Sequence, residues 1–293
     1  MKRTEKIQTF GFFNVHKPSG VVSSKVVNKL KWLTGVPCGH MGTLDPLASG
    51  VLPVGVGNAT RLFDYFLNKE KEYVAEFTFG VSSDTLDSTG ELVYGGRIPT
   101  VSEIESALPS LVGDVMQMPP KYSAKNVNGQ RGYDLARAGI EFELQPKAVR
   151  IDSVELLGVG ETENAYRFKI RCGGGTYIRS IARDLATALG ANAVMSSLLR
   201  TKSGVFTLEN AVDFSEFEKD PTLETLKKYL IPTESVLPFS KIRLSATDER
   251  KIFNGLKVKT DFPDGMYTID KDGIFYGLAT VENGLARTKT KLC

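Results

Sequence analysis

Apolar positions along the chain switch between a strand-like period of two and a helix-like period of 3.6, in no regular succession. Phe10 to His16 reads as a strand, and Lys17-Pro18-Ser19-Gly20 as the turn that closes it. Val26, Val27, Leu30 and Leu33 then fall on one helical face, with Ser23 or Ser24 as the cap and Gly35 and Pro37 as the stop. Val51 to Val54 predicts a short strand and Ala59 to Leu67 a helix. Tyr73, Ala75, Phe77 and Phe79 alternate with Val74, Glu76 and Thr78, the pattern of a half-buried strand. Thr100 and Glu103 fit a capping box before a helix carrying Ile104, Ala107, Leu108 and Leu111. Val149 to Val159 and Tyr166 to Cys172 predict strands. Tyr177 to Leu189 predicts a helix with Ile178, Ile181, Ala182, Leu185 and Leu189 on one stripe and Gly190 at its end.

The pattern changes near Ile231 to Pro238. Beyond it a short helix starts at Ser245 and ends at Gly255, followed by strands turned at Asp272-Gly273 and Asn283-Gly284. Two units are expected, residues 1–235 and a β-rich module of residues 236–293. The second is small for independent folding and is expected to lean on the first. Strands and helices intersperse without a βαβα rhythm, so the fold class is α+β. It should have a central, largely antiparallel mixed sheet flanked by helices.

Composition narrows the function classes. With 293 residues, 41% of them hydrophobic and 24% charged, the chain can bury a large core and resembles ordinary soluble proteins. No run of eighteen apolar residues exists to cross a membrane, and the basic N-terminus lacks the apolar core of a signal peptide, so a cytoplasmic location is expected. Cys38, Cys172 and Cys293 make neither a disulfide framework nor a CxxC site, and two histidines argue against a His-rich metal centre. A net charge of +3 permits an acidic partner.

Four stretches could carry chemistry. In Gly39 to Gly50, Asp45 precedes Pro46, which keeps it out of a helix and projects its carboxylate from a stiff loop, with His40 five positions earlier. Taken alone, such an Asp is better read as a turn residue bonding its own backbone. Val54-Gly55-Val56-Gly57-Asn58-Ala59-Thr60 mimics a dinucleotide-binding GxGxxG, but Thr60 replaces the third glycine, and a tight strand-to-helix turn is the better reading. Gly173-Gly174-Gly175-Thr176 leads into the helix bearing Arg179 and Arg183. Arg183 has a local partner in Asp184. Arg179, in the first turn against the helix dipole, calls for a carboxylate. Residues 119–139 hold Lys121, Lys125, Arg131 and Arg137 against Asp134, with Tyr122 and Tyr133 interleaved. Such cations neutralise phosphates and such rings stack on bases, although an ordinary surface loop has the same composition.

Together and in order, these segments resemble the TruB family of tRNA pseudouridine synthases. The matching pieces are Asn14 to Gly20, Gly39 to Gly50, Lys71-Glu72-Tyr73, Gly80 to Asp87, Pro119 to Ala124, Gly175 to Ser180 and Leu198 to Thr201. The resemblance implies a pseudouridine-synthase fold that isomerises uridine in the T-loop of tRNA, at position 55, without metal or organic cofactor. By the same resemblance Asp45 is the nucleophile, Arg179 its partner, and Asp87 the residue that orients Arg179. Tyr73 stacks on the flipped base and handles protons. Tyr177, Leu198 and His40 join Tyr73 in contacting the nucleotide, while Lys17 and Pro18 support the site. An insert of about residues 119–147, with Lys121, Tyr122, Lys125, Arg131 and Arg137, is expected to clamp the T-arm. This insert points to the stand-alone bacterial branch, acting as a monomer on tRNA with no guide RNA or protein partner. The final module resembles a PUA-like RNA-binding domain. Leu199 departs from the pattern, since many relatives carry an arginine there. A non-catalytic RNA-binding or tRNA-folding protein using the same insert is the alternative.

Overall fold

A computed structural model describes residues 10–123, 126, 127, 130–132, 135, 138–271 and 274–292. Its largest sheet runs, edge to edge, through strands Val212–Asp213, Gly11–Lys17, Ser49–Val56, Ala193–Ser203, Lys71–Phe79, Ala165–Cys172, Lys147–Val159 and Gly113–Gln117. Along this path only the pairings of Gly11–Lys17 with Val212–Asp213 and of Ala193–Ser203 with Ser49–Val56 are parallel; the others are antiparallel. The mixed, largely antiparallel sheet expected from the element pattern is therefore present.

Strand alternation sends neighbouring side chains to opposite faces, and both faces are covered. Phe13, Val15, Leu52, Val54, Tyr73, Ala75, Phe77 and Phe168 join Val26, Leu30 and Leu33 of helix Ser23–Thr34 and Ile178, Ile181 and Leu185 of helix Ile178–Ala188 in the main core. Phe12, Val51, Phe66 and Phe206 enter a second cluster with Val236, Leu237, Phe275, Leu278 and Leu292. The C-terminal chain thus rests its four-stranded antiparallel sheet against the side of the large sheet away from the two helices.

Several local expectations hold. Thr100 and Glu103 form the reciprocal capping box, Ser245 caps helix Ala246–Phe253, and Asn283 and Gly284 take positive φ in a hairpin turn. Asp272-Gly273 lies outside the described residues. Others are corrected. The helix expected over Ala59–Leu67 is a 3-10 turn, Gly57–Leu62, followed by one α-helical turn, Phe63–Leu67. Gly57 turns at φ 61°, and its N–H donates to the Pro37 carbonyl at 2.8 Å. A Cβ on Gly55 would fall 2.8 Å from Met41 Cε, so close packing accounts for the glycines of the GxGxxG-like stretch. Residues 193–203, unassigned from the sequence, form a central strand. Register shifts at Met195/Ser197 and Arg200/Lys202 break the two-residue alternation that would have revealed it.

Candidate active site

The loop carrying Asp45 is pinned from three directions. Ser23 Oγ donates to the Leu44 carbonyl at 2.8 Å and accepts from the Leu44 N–H at 3.0 Å. Ser23 therefore ties the loop instead of capping its helix; the N-cap position is Val22, with no side-chain cap. Lys17 Nζ, fully buried, donates to the carbonyls of Pro18 at 2.9 Å, Val21 at 2.6 Å and Pro46 at 3.4 Å. From the sheet side Arg200 donates through Nε to Val51 O at 2.7 Å, through Nη2 to Gly42 O at 3.1 Å and through Nη1 to Thr43 O at 3.4 Å. Gly50, at φ 102°, runs so close to Arg200 that a Cβ would lie 2.2 Å from the Arg200 carbonyl oxygen. Leu44 and Ala48 are buried anchors. A loop held this way can present one carboxylate in a fixed direction.

That carboxylate meets Arg179. Arg179 Nη2 donates to Asp45 Oδ1 at 3.2 Å, and Nε lies 2.9 Å from Oδ2 as an ion-pair contact whose N–H is not aimed at the oxygen. Arg179 is 5% exposed and is held further by Nη1 to Thr85 O at 2.9 Å and Nη2 to Tyr122 O at 3.0 Å. Its Nη1 also stands 3.4 Å from Asp87 Oδ2. Asp87, 4% exposed, is itself cradled: Oδ1 accepts from Thr85 Oγ1 at 2.8 Å, Thr89 N at 3.0 Å and Thr89 Oγ1 at 2.5 Å. Leu86, at φ 61° in the left-handed region, accepts from the Met195 N–H at 3.1 Å, and the Ser88 N–H donates to the Met195 carbonyl at 3.1 Å, so Asp87 between them is bridged to the 193–203 strand. Two acids on separate segments thus converge on one guanidinium that enters the site from a helix.

Asp45 keeps 33% of its side-chain surface open, yet its carboxyl group is desolvated enough to shift. Burial pushes its pKa above the ordinary aspartate value. Asp87 adds to that rise, while the charge and hydrogen bond of Arg179, and the charge of Lys17, oppose it. Lys17 is lowered to about 8 by burial, with Asp45 opposing and Arg200 adding to the drop.

Next to the carboxylate opens a cavity of about 190 Å³. Thr43, Leu44, Asp45, Lys71, Tyr73, Tyr177, Arg179, Leu198 and Arg200 are among its walls. The Tyr73 phenol is pushed up to about 12, chiefly by burial, with Arg200 opposing through its charge and a hydrogen bond. Burial also raises Tyr177, opposed by Ser123 and Arg179. His40 faces an adjoining cavity that shares Asp45 and Arg179 and also touches Asp87 and Tyr122. Lys17 lies behind the Asp45 loop, and Pro18 supplies one of the carbonyls that hold Lys17. Lys121 is exposed at the rim, and Tyr122 is joined to Arg179 by its backbone oxygen. Lys125 and Arg137 lie outside the described residues. Arg131 is described only as backbone pairing with Asn126. Arg183 pairs with Asp184 at 2.7 Å and donates to Met118 O, as its local alternative required. Among the described residues, no group of three or more His, Cys, Asp or Glu side chains is arranged to hold a metal.

Three site features were not legible as such. Arg200 sits in a matching tetrapeptide but carries no polar pattern of its own. Lys71, 4% exposed, has its ammonium among the carbonyls of Phe66, Leu67 and Lys69, and burial lowers it to about 8. Ser23 reads as a cap. Only Lys71 had a usable signal, a lysine on the apolar face of an alternating strand.

Comparison with known proteins adds independent findings. The TruB family pseudouridylate synthase N-terminal domain matches residues 31–178, and the tRNA pseudouridylate synthase B C-terminal domain matches residues 179–238. The chain is 36% identical over 253 residues to a tRNA pseudouridine synthase B of Clostridium tetani, covering 85% of this chain and 86% of the relative. It is 38% identical over 268 residues to one of Synechocystis sp., covering 90% of each. Among solved structures, a chain of a Cbf5-Nop10-Gar1 complex superposes with a TM-score of 0.70 at 24% identity, over 97% of this chain and 85% of that one, a likeness of fold.

Proposed function

The chain belongs to the TruB family of pseudouridylate synthases and is an isomerase, and we propose that it converts uridine to pseudouridine at position 55 in the T-loop of tRNA, with Asp45 as nucleophile. The observation that carries the residue assignment is the Asp45–Arg179–Asp87 arrangement beside a cavity walled by Tyr73, Tyr177 and Leu198. The relatives' names support tRNA as the substrate.

The reaction is an isomerisation. The bond from ribose C1′ to uracil N1 breaks, one from C1′ to C5 forms, the C5 proton leaves and N1 gains a proton. A carboxylate that forms a covalent adduct divides this rearrangement into easier steps. Asp45 must be ionised to attack, and Arg179 supplies the charge that favours that form. Asp87 and the carbonyls of Thr85 and Tyr122 keep Arg179 from swinging away. The target base reaches Asp45 only after extrusion from the tRNA arm, at a cost of a few kcal/mol that stacking on Tyr73 offsets in part. Tyr177 and Leu198 complete the pocket, and His40 contacts the neighbouring nucleotides. No cofactor enters any step.

The same reading assigns residues 1–235 to catalysis. The segment of about residues 119–147 clamps the T-arm through Lys121, Tyr122, Lys125, Arg131 and Arg137. Residues 236–293 act as a PUA-like module. The protein works in the cytoplasm as a monomer without guide RNA. Incubation with a T-arm hairpin transcript, followed by mapping of pseudouridine, tests the reading. Product at the T-loop uridine is expected; product elsewhere, or none, would refute the substrate assignment.

A further inference from the structure

We propose that Arg200 is a positioning residue of this reaction, fixing the Tyr73 hydroxyl and the Asp45 loop from inside the cavity wall. The proposal rests on the isomerase reading above.

Arg200 and Tyr73 are cross-strand partners in the large sheet, and both line the cavity. Arg200 is 2% exposed, and among the described residues it makes no ion pair. Burying a guanidinium without a counter-charge is costly, and a well-packed apolar side chain usually serves stability as well. Arg200 therefore answers to a demand other than packing. Three of its N–H groups are given to the carbonyls of Val51, Gly42 and Thr43, which fixes its plane and the two residues leading to Asp45.

A guanidinium has donors and no acceptor. Arg200 stands opposite Tyr73 on the neighbouring strand and shares its cavity wall, so in a hydrogen bond between the two the guanidinium donates and the phenol oxygen accepts. The phenolic proton is then turned away from Arg200 and toward the cavity. Tyr73 stands there as a neutral donor with its acceptor side occupied. When the bond from C1′ to N1 breaks, the electron pair stays on the base, and the detached uracil carries negative charge until the new carbon bond forms. A phenol O–H facing that charge, with a fixed cation behind it, stabilises it through a hydrogen bond. Arg179 cannot serve this purpose, because Asp45 and Asp87 already neutralise it.

The test is a double-mutant cycle read by single-turnover pseudouridine formation on a T-arm hairpin, with RNA affinity and thermal melting measured alongside. R200K should slow turnover by about thirtyfold or more while RNA affinity stays within about threefold, because lysine loses the planar fork. In a Y73F background the same change should cost less than about threefold, since the group it acts through is gone. The cycle repeated with R200Q, which keeps two N–H donors for the loop carbonyls, carries the test if R200K melts below the assay temperature. Equal losses with and without the Tyr73 hydroxyl would overturn the proposal, as would a rate loss that tracks lowered melting. A wild-type protein inactive on the hairpin would instead refute the isomerase reading, so the two failures are distinguishable.

Discussion

Two buried guanidinium groups line the same cavity and are satisfied in opposite ways. Arg179 is matched by two carboxylates, Asp45 and Asp87, brought from segments 42 positions apart (87 − 45). Arg200 has no carboxylate partner among the described residues and donates instead to the backbone carbonyls of Gly42, Thr43 and Val51. The difference separates two roles. The Arg179 side changes its charge balance when a carboxyl is protonated or consumed, so it is the chemically responsive wall. The Arg200 side holds on to carbonyls that carry no exchangeable charge, so it is the constant wall. A nucleophile needs the first, and a loop that must not move needs the second.

The comparison can be broken most severely at Asp45. Asp45→Asn should lower single-turnover isomerisation by at least about a thousandfold while RNA affinity, measured by filter binding, survives. Full turnover in that variant would remove Asp45 as nucleophile. Next is Arg179→Lys, which keeps the charge but loses the planar fork that spans Asp45 and two carbonyls; a fall of about a hundredfold at unchanged circular dichroism is expected.

Asp87→Asn sharpens the responsive side through pH. Asp87 helps to raise the Asp45 pKa, so removing its negative charge should lower that pKa. With Asp45 as the proposed nucleophile, activity needs its ionised form and is lost as pH falls through its pKa. The acid limb of the single-turnover rate should therefore move to lower pH in Asp87→Asn, whatever happens to the plateau. A limb that stays in place would mean that the two carboxyls are not coupled.

The constant side is tested by stability. Gly50→Ala would drive a Cβ into the Arg200 carbonyl at a positive φ and should cost roughly 2–4 kcal/mol in denaturant unfolding. Ser23→Ala removes both side-chain bonds to Leu44 and should cost about 1 kcal/mol, with turnover reduced more than melting because the loop, not the core, loosens.

Much of this was readable before any coordinates. The Tyr73–Phe79 alternation, the helix stripe from Ile178 to Leu185 and the Thr100–Glu103 box are local patterns, and local physics suffices to write them. The candidate site was readable only in part. The proline behind Asp45 announced an outward carboxylate, and the helix-dipole argument asked for an acid near Arg179. The same kind of local argument misread Ser23, because a serine before a helix bonds either its own backbone or a neighbouring loop, and sequence spacing cannot choose between them. The 193–203 strand escaped because its bulges erase the alternation that marks a strand.

What the sequence determined by itself was the set of elements, the stiffness of the Asp45 loop and the need of Arg179 for a partner, since each follows from backbone sterics, periodicity or charge within a few residues. Tertiary structure alone decided that Asp87 and Asp45 share Arg179. It also decided that Arg200 lies behind Tyr73 and that one sheet carries helices on one face and the C-terminal strands on the other. These are matters of register between strands far apart in the chain, and a shift of one residue in any of them would turn the same side chains to the opposite face.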